Sequence, residues 1–313
     1  MNRRTMLAAA AAPGFAPAFG QGAALKVFGA GAGSAFLPYA EGLAGFLRGA
    51  GIAAEARTST GSLQNLGFVE DDPGAIGTAF LGSVQDALAG TPAAGGRRHG
   101  AVRALFPMYE TAFHVAALTS SGITGFAQLA GKRVGAGPAR GPAETFLRAA
   151  CEAAGIEIQV VSGDPAALSE ALLAGGMDAL WQGAIVPIPS LLAVLGRAPA
   201  VVFGPGAAIA ARVVARMPYL ALSVAPPGTY PGQAAPVESF AAWNFVVANA
   251  AMPDDAAHAI TRAVLGAADP ARQIHPSAAG TRAVNAGTNR ILAFHPGAAR
   301  YYREAGVALP TIG

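Results

Sequence analysis

The side chains that most often carry chemistry are few in this sequence, and they stand apart. Its five histidines, His99, His114, His258, His275 and His295, share no short ligand spacing with one another or with the cysteine. The single cysteine, Cys151, has no partner for a Cys-x-x-Cys pair. The spacings that hold zinc are therefore missing. So is the Gly-x-Ser-x-Gly elbow of a serine nucleophile. His114 lies inside an apolar run and reads as a core histidine with its ring nitrogens satisfied. Cys151 lies among Ala149, Ala150, Ala153 and Ala154, which describes a buried thiol rather than a nucleophile. The acidic pairs Asp71-Asp72 and Asp254-Asp255 adjoin Pro73 and Pro253, a setting for turns and helix starts rather than paired acid–base work. The expectation is a protein that is not an enzyme and carries no cofactor or metal.

Polar recognition is better represented, and it falls at strand-to-helix corners. Gly29-Ala30-Gly31-Ala32-Gly33-Ser34 follows a short apolar run and precedes a helical period. Small residues there let backbone N–H groups approach an anion. The same loop is a near match to a dinucleotide fingerprint, with Ser34 at the third glycine and Glu55 downstream; it also reads as a tight turn and nothing more. Thr58-Ser59-Thr60-Gly61-Ser62-Leu63-Gln64-Asn65 gathers hydroxyls and amides at another helix start, with Ser62 as a cap. Capping needs one such residue, so ligand contact by Thr60, Ser62 and Asn65 is expected. Pro138-Ala139-Arg140-Gly141-Pro142-Ala143-Glu144 sets Arg140 at a third corner. An arginine there can clamp a carboxylate in bidentate fashion, or simply pair with Glu144. Trp181 and Gln182 close a fourth segment, either as a stacking surface with an amide or as a core tryptophan beside a solvent-facing glutamine.

These corners require strands alternating with helices. Strands are expected at 25–28, 52–57, 75–80, 133–136, 158–161 and 179–181, and helices near 38–47, 63–70, 84–89, 143–154 and 165–174. That alternation implies α/β architecture with a mainly parallel sheet. The apolar runs 112–118 and 241–248 read as crossing strands between two lobes. Two further helices are expected near 254–267 and 281–293. No internal repeat is visible.

The chain has 313 residues, 53% of them hydrophobic and 12% charged, with a formal net charge of +3. That is enough for two lobes with buried cores. No basic stripe carries interleaved aromatics, so nucleic-acid binding is not indicated, and Arg97-Arg98-His99 reads as a solvated loop. Residues 1–20 combine Arg3-Arg4, an Ala-rich apolar stretch and Ala16-Pro17-Ala18. This is the form of an export signal, with a twin-arginine route as one option. No later run is long enough to span a bilayer, and no cysteine stands near the start for a lipid anchor. A soluble periplasmic protein, monomeric, is expected.

The order of motifs adds a resemblance. Thr60-Gly61-Ser62-x-x-Asn65, then Gly122-Ile123, Leu129-x-Gly131-Lys132-Arg133-Val134-x-x-Gly137-Pro138, and Gly176-x-Asp178-Ala179 are followed by Pro227-Gly228-Thr229-Tyr230. The tail His295-Pro296-Gly297-Ala298-x-Arg300-Tyr301-Tyr302-x-Glu304-x-Gly306 completes the series. Together they resemble the TAXI family, the extracytoplasmic solute-binding subunits of TRAP (tripartite ATP-independent periplasmic) transporters. The resemblance implies a type II periplasmic-binding-protein fold that closes like a Venus flytrap, with lobe I at 24–115 plus 240–313 and lobe II at 116–239. It implies a cleft for a small carboxylate or amino acid, and TRAP membrane subunits as partners. Taken together, the corners and the resemblance give as expected ligand contacts Gly33, Ser34, Tyr39, Thr60, Ser62, Asn65, Phe80, Arg140, Gly141, Glu144, Trp181 and Gln182. Three loops depart from the family pattern: Ser34-Ala35-Phe36-Leu37 replaces Gly-x-Tyr-Tyr, with Tyr39 as a substitute phenol; Phe80-Leu81-Gly82 replaces Gln-Ser-Asp; and Ala139-Arg140-Gly141-Pro142 replaces Gly-Ser-Gly-Thr. The expected ligand is therefore an anion with an apolar or aromatic portion. A sensor subunit for a membrane kinase and an exported nucleotide-binding redox protein are the alternatives.

Overall fold

A computed structural model describes residues 24–32, 34–139 and 141–312. The expected export signal, Gly33 and Arg140 lie outside the described residues.

The first half begins with three βα units: β1 (Leu25–Phe28), α1 (Phe36–Gly49), β2 (Ala54–Arg57), α2 (Ser62–Asp71), β3 (Ala75–Phe80) and α3 (Leu81–Ala89). The long strand β4 (Val102–Leu118) then leads into the second half. There the chain forms β5 (Arg133–Gly135), α4 (Pro142–Ala154), β6 (Gln159–Val161), α5 (Pro165–Leu173), β7 (Ala179–Ala184) and α6 (Pro189–Leu195), followed by β8 (Ala200–Phe203), α7 (Ala207–Arg216) and β9 (Leu220–Ala225). Strand β10 (Val237–Asn249) returns, and α8 (Asp254–Leu265), α9 (Pro270–Gln273) and α10 (Pro296–Glu304) finish the first half.

The strands share one sheet in the order β2-β1-β3-β10-β4-β7-β5-β6, with β8 on β4 and β9 on β10. Strands β2, β1 and β3 are parallel, and β10 joins β3 antiparallel. The second half repeats the plan: β6, β5 and β7 are parallel, and β4 joins β7 antiparallel. This structural repeat has no counterpart in the sequence. Each long strand serves both halves. β4 pairs with β10 from Val102 to Ala112, then with β7 from Ala112 to Ala116. β10 pairs with β9 from Val237 to Ala242, then with β3 from Asn244 to Ala248.

Core packing divides in the same place. Leu25, Leu43, Leu47, Leu105, Ile260 and Tyr302 are buried together between α1, α8, α10 and the sheet. Phe113, Leu147, Trp181, Val213 and Phe240 form a separate core in the second half. At roughly 1.5–3 kcal/mol for each large apolar side chain buried, each core can hold its half rigid while only two strands join them.

Several motif residues are structural fasteners. The Asp178 carboxylate accepts the Arg133 N–H at 2.8 Å, which holds its pKa below the usual carboxylate range and pins the start of β5. Tyr302 donates to the Leu105 carbonyl, and His295 Nδ1 accepts the Gly297 N–H as the N-cap of α10.

Some expectations change. Strand β4 starts ten residues before 112, because its first part is buried on both faces and carries no polar alternation. The helix expected at 281–293 is only a 3₁₀ segment, Ala283–Thr288; the helix begins at Pro296, where His295 supplies a cap. The units β8, α7 and β9 were not foreseen. Ser62 is not the N-cap of α2; Gly61 is, and the Ser62 hydroxyl instead accepts the Phe80 N–H at 3.0 Å. Cys151 is buried, and burial pushes its thiol up to about 11.

Candidate functional site

In each half, the helices follow the carboxyl ends of parallel strands, so their N-termini gather at one edge. In open α/β sheets that edge is where ligands bind. The two edges approach each other: the Phe80 ring, at the end of β3, meets Phe146 of α4 at 6.5 Å and Tyr219 at 5.9 Å, both edge-on. On the other flank, Ile185, just beyond β7, packs against the core that contains Tyr109. A crevice is thus bounded by the ends of β1, β2 and β3 on one wall, by β5 and β7 on the other, and by β4 and β10 beneath. The N-cap residues of α2, α3 and α4, which are Gly61, Phe80 and Gly141, make no side-chain capping bond, whereas Asp164 caps α5 through two N–H groups. Uncapped N-termini leave backbone donors and a positive partial charge for an anion. Gly61 holds φ at 127°, a conformation that glycine alone adopts readily, and the space where a Cβ would stand is open.

The candidate residues sort unevenly around this crevice. Ser34 is half-buried beside the start of α1, where its hydroxyl accepts the Phe36 N–H at 3.2 Å. Thr60 is exposed, with its N–H on the Gln64 side chain. Phe80 and Gly141 stand on opposite walls. Glu144, in the first turn of α4, accepts two bonds from Arg148.

Three candidates are turned inward instead. Tyr39 has no accessible surface; its hydroxyl bonds Thr281 at 2.9 Å, and burial raises its pKa, so it does not replace a cleft phenol. Trp181 is likewise inaccessible, with its indole N–H on the Ala143 carbonyl and its ring stacked on Phe113. Asn65 is buried and donates to the Gly29 carbonyl at 2.6 Å and the Thr78 carbonyl at 2.8 Å, tying β1 to β3. Each was chosen for its polar or aromatic tip, and in each that tip is used to fasten the frame.

Gln182 is also buried, yet its Nε2 has no partner among the described residues. Sequence reasoning passed over two polar residues of β4. Tyr109 is 6% exposed, its hydroxyl makes no hydrogen bond among the described residues, and burial raises its pKa. Glu110 is half-buried and bonded to Ser223 at 2.9 Å, and burial raises its carboxyl above the usual range. The usable signal was Tyr109-Glu110-Thr111, a polar triplet in the middle of a long apolar strand. Among the described residues no group of three or more His, Cys, Asp or Glu could hold a metal, and no helix is long and apolar enough to cross a membrane.

A family model described as the NMT1-like family matches residues 28–306. The chain belongs to the NMT1-like family. No curated protein matches it. Among solved structures, the NMT1-like chain is similar to a TctC solute binding protein from Polaromonas at 11% identity and a TM-score of 0.57, covering 76% of this chain and 81% of the other. It also matches a structure described as a periplasmic transporter, at 16% identity and a TM-score of 0.47, over 83% and 87% of the two chains. A third match is MatC from Rhodopseudomonas palustris with bound malate, at 14% identity and a TM-score of 0.46, over 82% and 88%. At such identities the first likeness speaks for the fold. This NMT1-like chain has a periplasmic-binding-protein fold, with two α/β lobes joined by crossing strands and a cleft between them.

Proposed function

We propose that the protein is an exported solute-binding subunit that captures a small carboxylate-bearing molecule in the cleft and hands it to a TRAP-type secondary transporter, with no chemistry of its own. The observation that carries this reading is the meeting of two carboxyl edges across crossing strands, with uncapped helix starts on both walls. Such an arrangement suits an anion held between lobes that open and close about two strands. Lobe I would take 24–115 and 240–313 and lobe II 116–239, which puts the hinge within a few residues of the Ala112–Ala241 pair. The motif order that resembles the TAXI family supports TRAP membrane subunits as the partner.

Arg140 precedes the uncapped start of α4 in sequence, and we assign it to the ligand's carboxylate. The chain's two tryptophans, Trp181 and Trp243, offer a direct readout. Titration with organic acids and amino acids should change intrinsic fluorescence saturably for the correct ligand. Loss of one charge-assisted bond should weaken binding in Arg140→Ala by about tenfold or more. A fluorescence response unchanged by Arg140→Ala would remove that residue from the site. No saturable response to any acid would contradict the reading itself.

A further inference from the structure

Strand β9 is an edge that the fold leaves open. Among the described residues it pairs with β10 alone, and its burial alternates strictly from Ala221 to Ala225. Ser223 turns inward, where its hydroxyl reaches Glu110 at 2.9 Å. Leu222 and Val224 turn to the opposite face and are 58% and 59% exposed. They are two of only four large hydrophobic side chains that stand exposed among the described residues; the others, Phe68 and Val284, lie on separate elements. Apolar side chains exposed singly are ordinary, but two on one face of an edge strand mark a contact surface.

The backbone of the same two residues is unpaired as well. The Glu238 carbonyl accepts the Gly206 N–H at 3.1 Å, so Glu238 aims its backbone away from β9. Val224, which stands opposite it, therefore aims its own backbone off the free edge. Alternation gives Leu220, Leu222 and Pro226 the same aim. Both ends of that series are occupied. The Leu220 N–H bonds the Met217 carbonyl at 2.9 Å. Pro226 has no N–H, and its carbonyl accepts the Thr229 hydroxyl at 2.6 Å. Between them, the N–H and C=O groups of Leu222 and Val224 bond nothing among the described residues.

We propose that β9 is an interface with a second copy of this chain, the two β9 strands pairing antiparallel about a two-fold axis at Ser223. The open groups select that register. Leu222 stands opposite the partner's Val224, Val224 stands opposite the partner's Leu222, and each pair exchanges two N–H···O=C bonds. Every open group on both strands is then used. The four apolar side chains meet on one face as cross-strand pairs. Charge also favours a copy. Strand β9 has no charged residue with which to recognise a charged partner. Glu238 would lie three strand spacings from its counterpart, about 14 Å, beyond the Debye length of about 8 Å. Two short strands bury less than the roughly 1,000 Å² of a permanent interface. The dimer is therefore weak and reversible, and the monomer expected from the sequence is its dilute form.

Sedimentation velocity of the purified protein, from micromolar to millimolar concentration, tests the interface. The average mass should climb from one chain toward two. Leu222→Lys and Val224→Glu should each weaken association by about tenfold or more, because each sets a charge against an apolar side chain of the copy. An equal mixture of the two variants should recover it, since the register puts the new ammonium of one chain opposite the new carboxylate of the other. Recovery also shows that both variants fold. Val224→Pro should abolish pairing and leave the monomer folded, as the N–H it removes lies on the open edge. Equal association in the wild type and both charged variants would place the contact elsewhere and overturn the proposal. A mixture that associates no better than its components would overturn the register, and the proposal with it. A chain that stays monomeric throughout would overturn it too, and would leave β9 to a different protein.

Discussion

Asn65 and His114 show how far one side chain can be argued. Asn65 donates to two buried carbonyls on different strands. Asn65→Ala leaves those acceptors without a partner, at a cost of about 2–3 kcal/mol; Asn65→Asp should cost more, since a carboxylate would face carbonyl oxygens. Urea unfolding of both variants checks the order. His114 makes a pH prediction. Burial lowers its pKa from the ordinary 6.5 to about 4, so between those values the unfolded chain binds more protons than the folded one. Stability should then fall as pH drops through that window and level off below it. The loss is about 2 kcal/mol between pH 8 and pH 5. His114→Gln should remove this dependence, which urea melts at the two pH values would read. A slope that survives the substitution would assign it to other groups.

At the scale of elements, the sequence was most legible where local rules suffice. Strand β3 is where the apolar run placed it, and α4 and α5 follow from proline at the first turn and glycine or alanine past the end. It was least legible where tertiary contacts decide. The start of β4 and the short strands β8 and β9 carry no polar alternation to mark them, although Gly204-Pro205-Gly206 and Pro226-Pro227-Gly228 close the last two. The segment 281–293 has a helical period but stays irregular, as Thr281 and Asn289 fix it through bonds to the Met108 carbonyl and to its own backbone. Glycines give the element-scale test. A Cβ on Gly297 would stand 2.1 Å from the Asp254 carbonyl oxygen, so Gly297→Ala must push α10 off α8. We expect a loss of about 2 kcal/mol or more from this overpacking. Gly45, inside α1, would meet only the tip of Arg48 at 3.7 Å, and Gly45→Ala should stabilise by about 0.5–1 kcal/mol. Thermal melts of the pair should move in opposite directions.

For the whole molecule, the two-lobed plan could be read from strand alternation and motif order. The interior of the site could not. Tyr39, Trp181 and Asn65 carry groups that suit a ligand, and a sequence does not show that those groups are consumed by partners far along the chain, such as Thr281 or Ala143. The central claim is that the cleft captures a small acid. Its most direct test is thermal unfolding of the purified protein against a panel of amino acids and organic acids. At about a hundred times its dissociation constant, a ligand specific for the folded state adds roughly 2.7 kcal/mol, so one class should give a clear, saturable rise in melting temperature. A panel that leaves the melting temperature unmoved throughout would contradict the account.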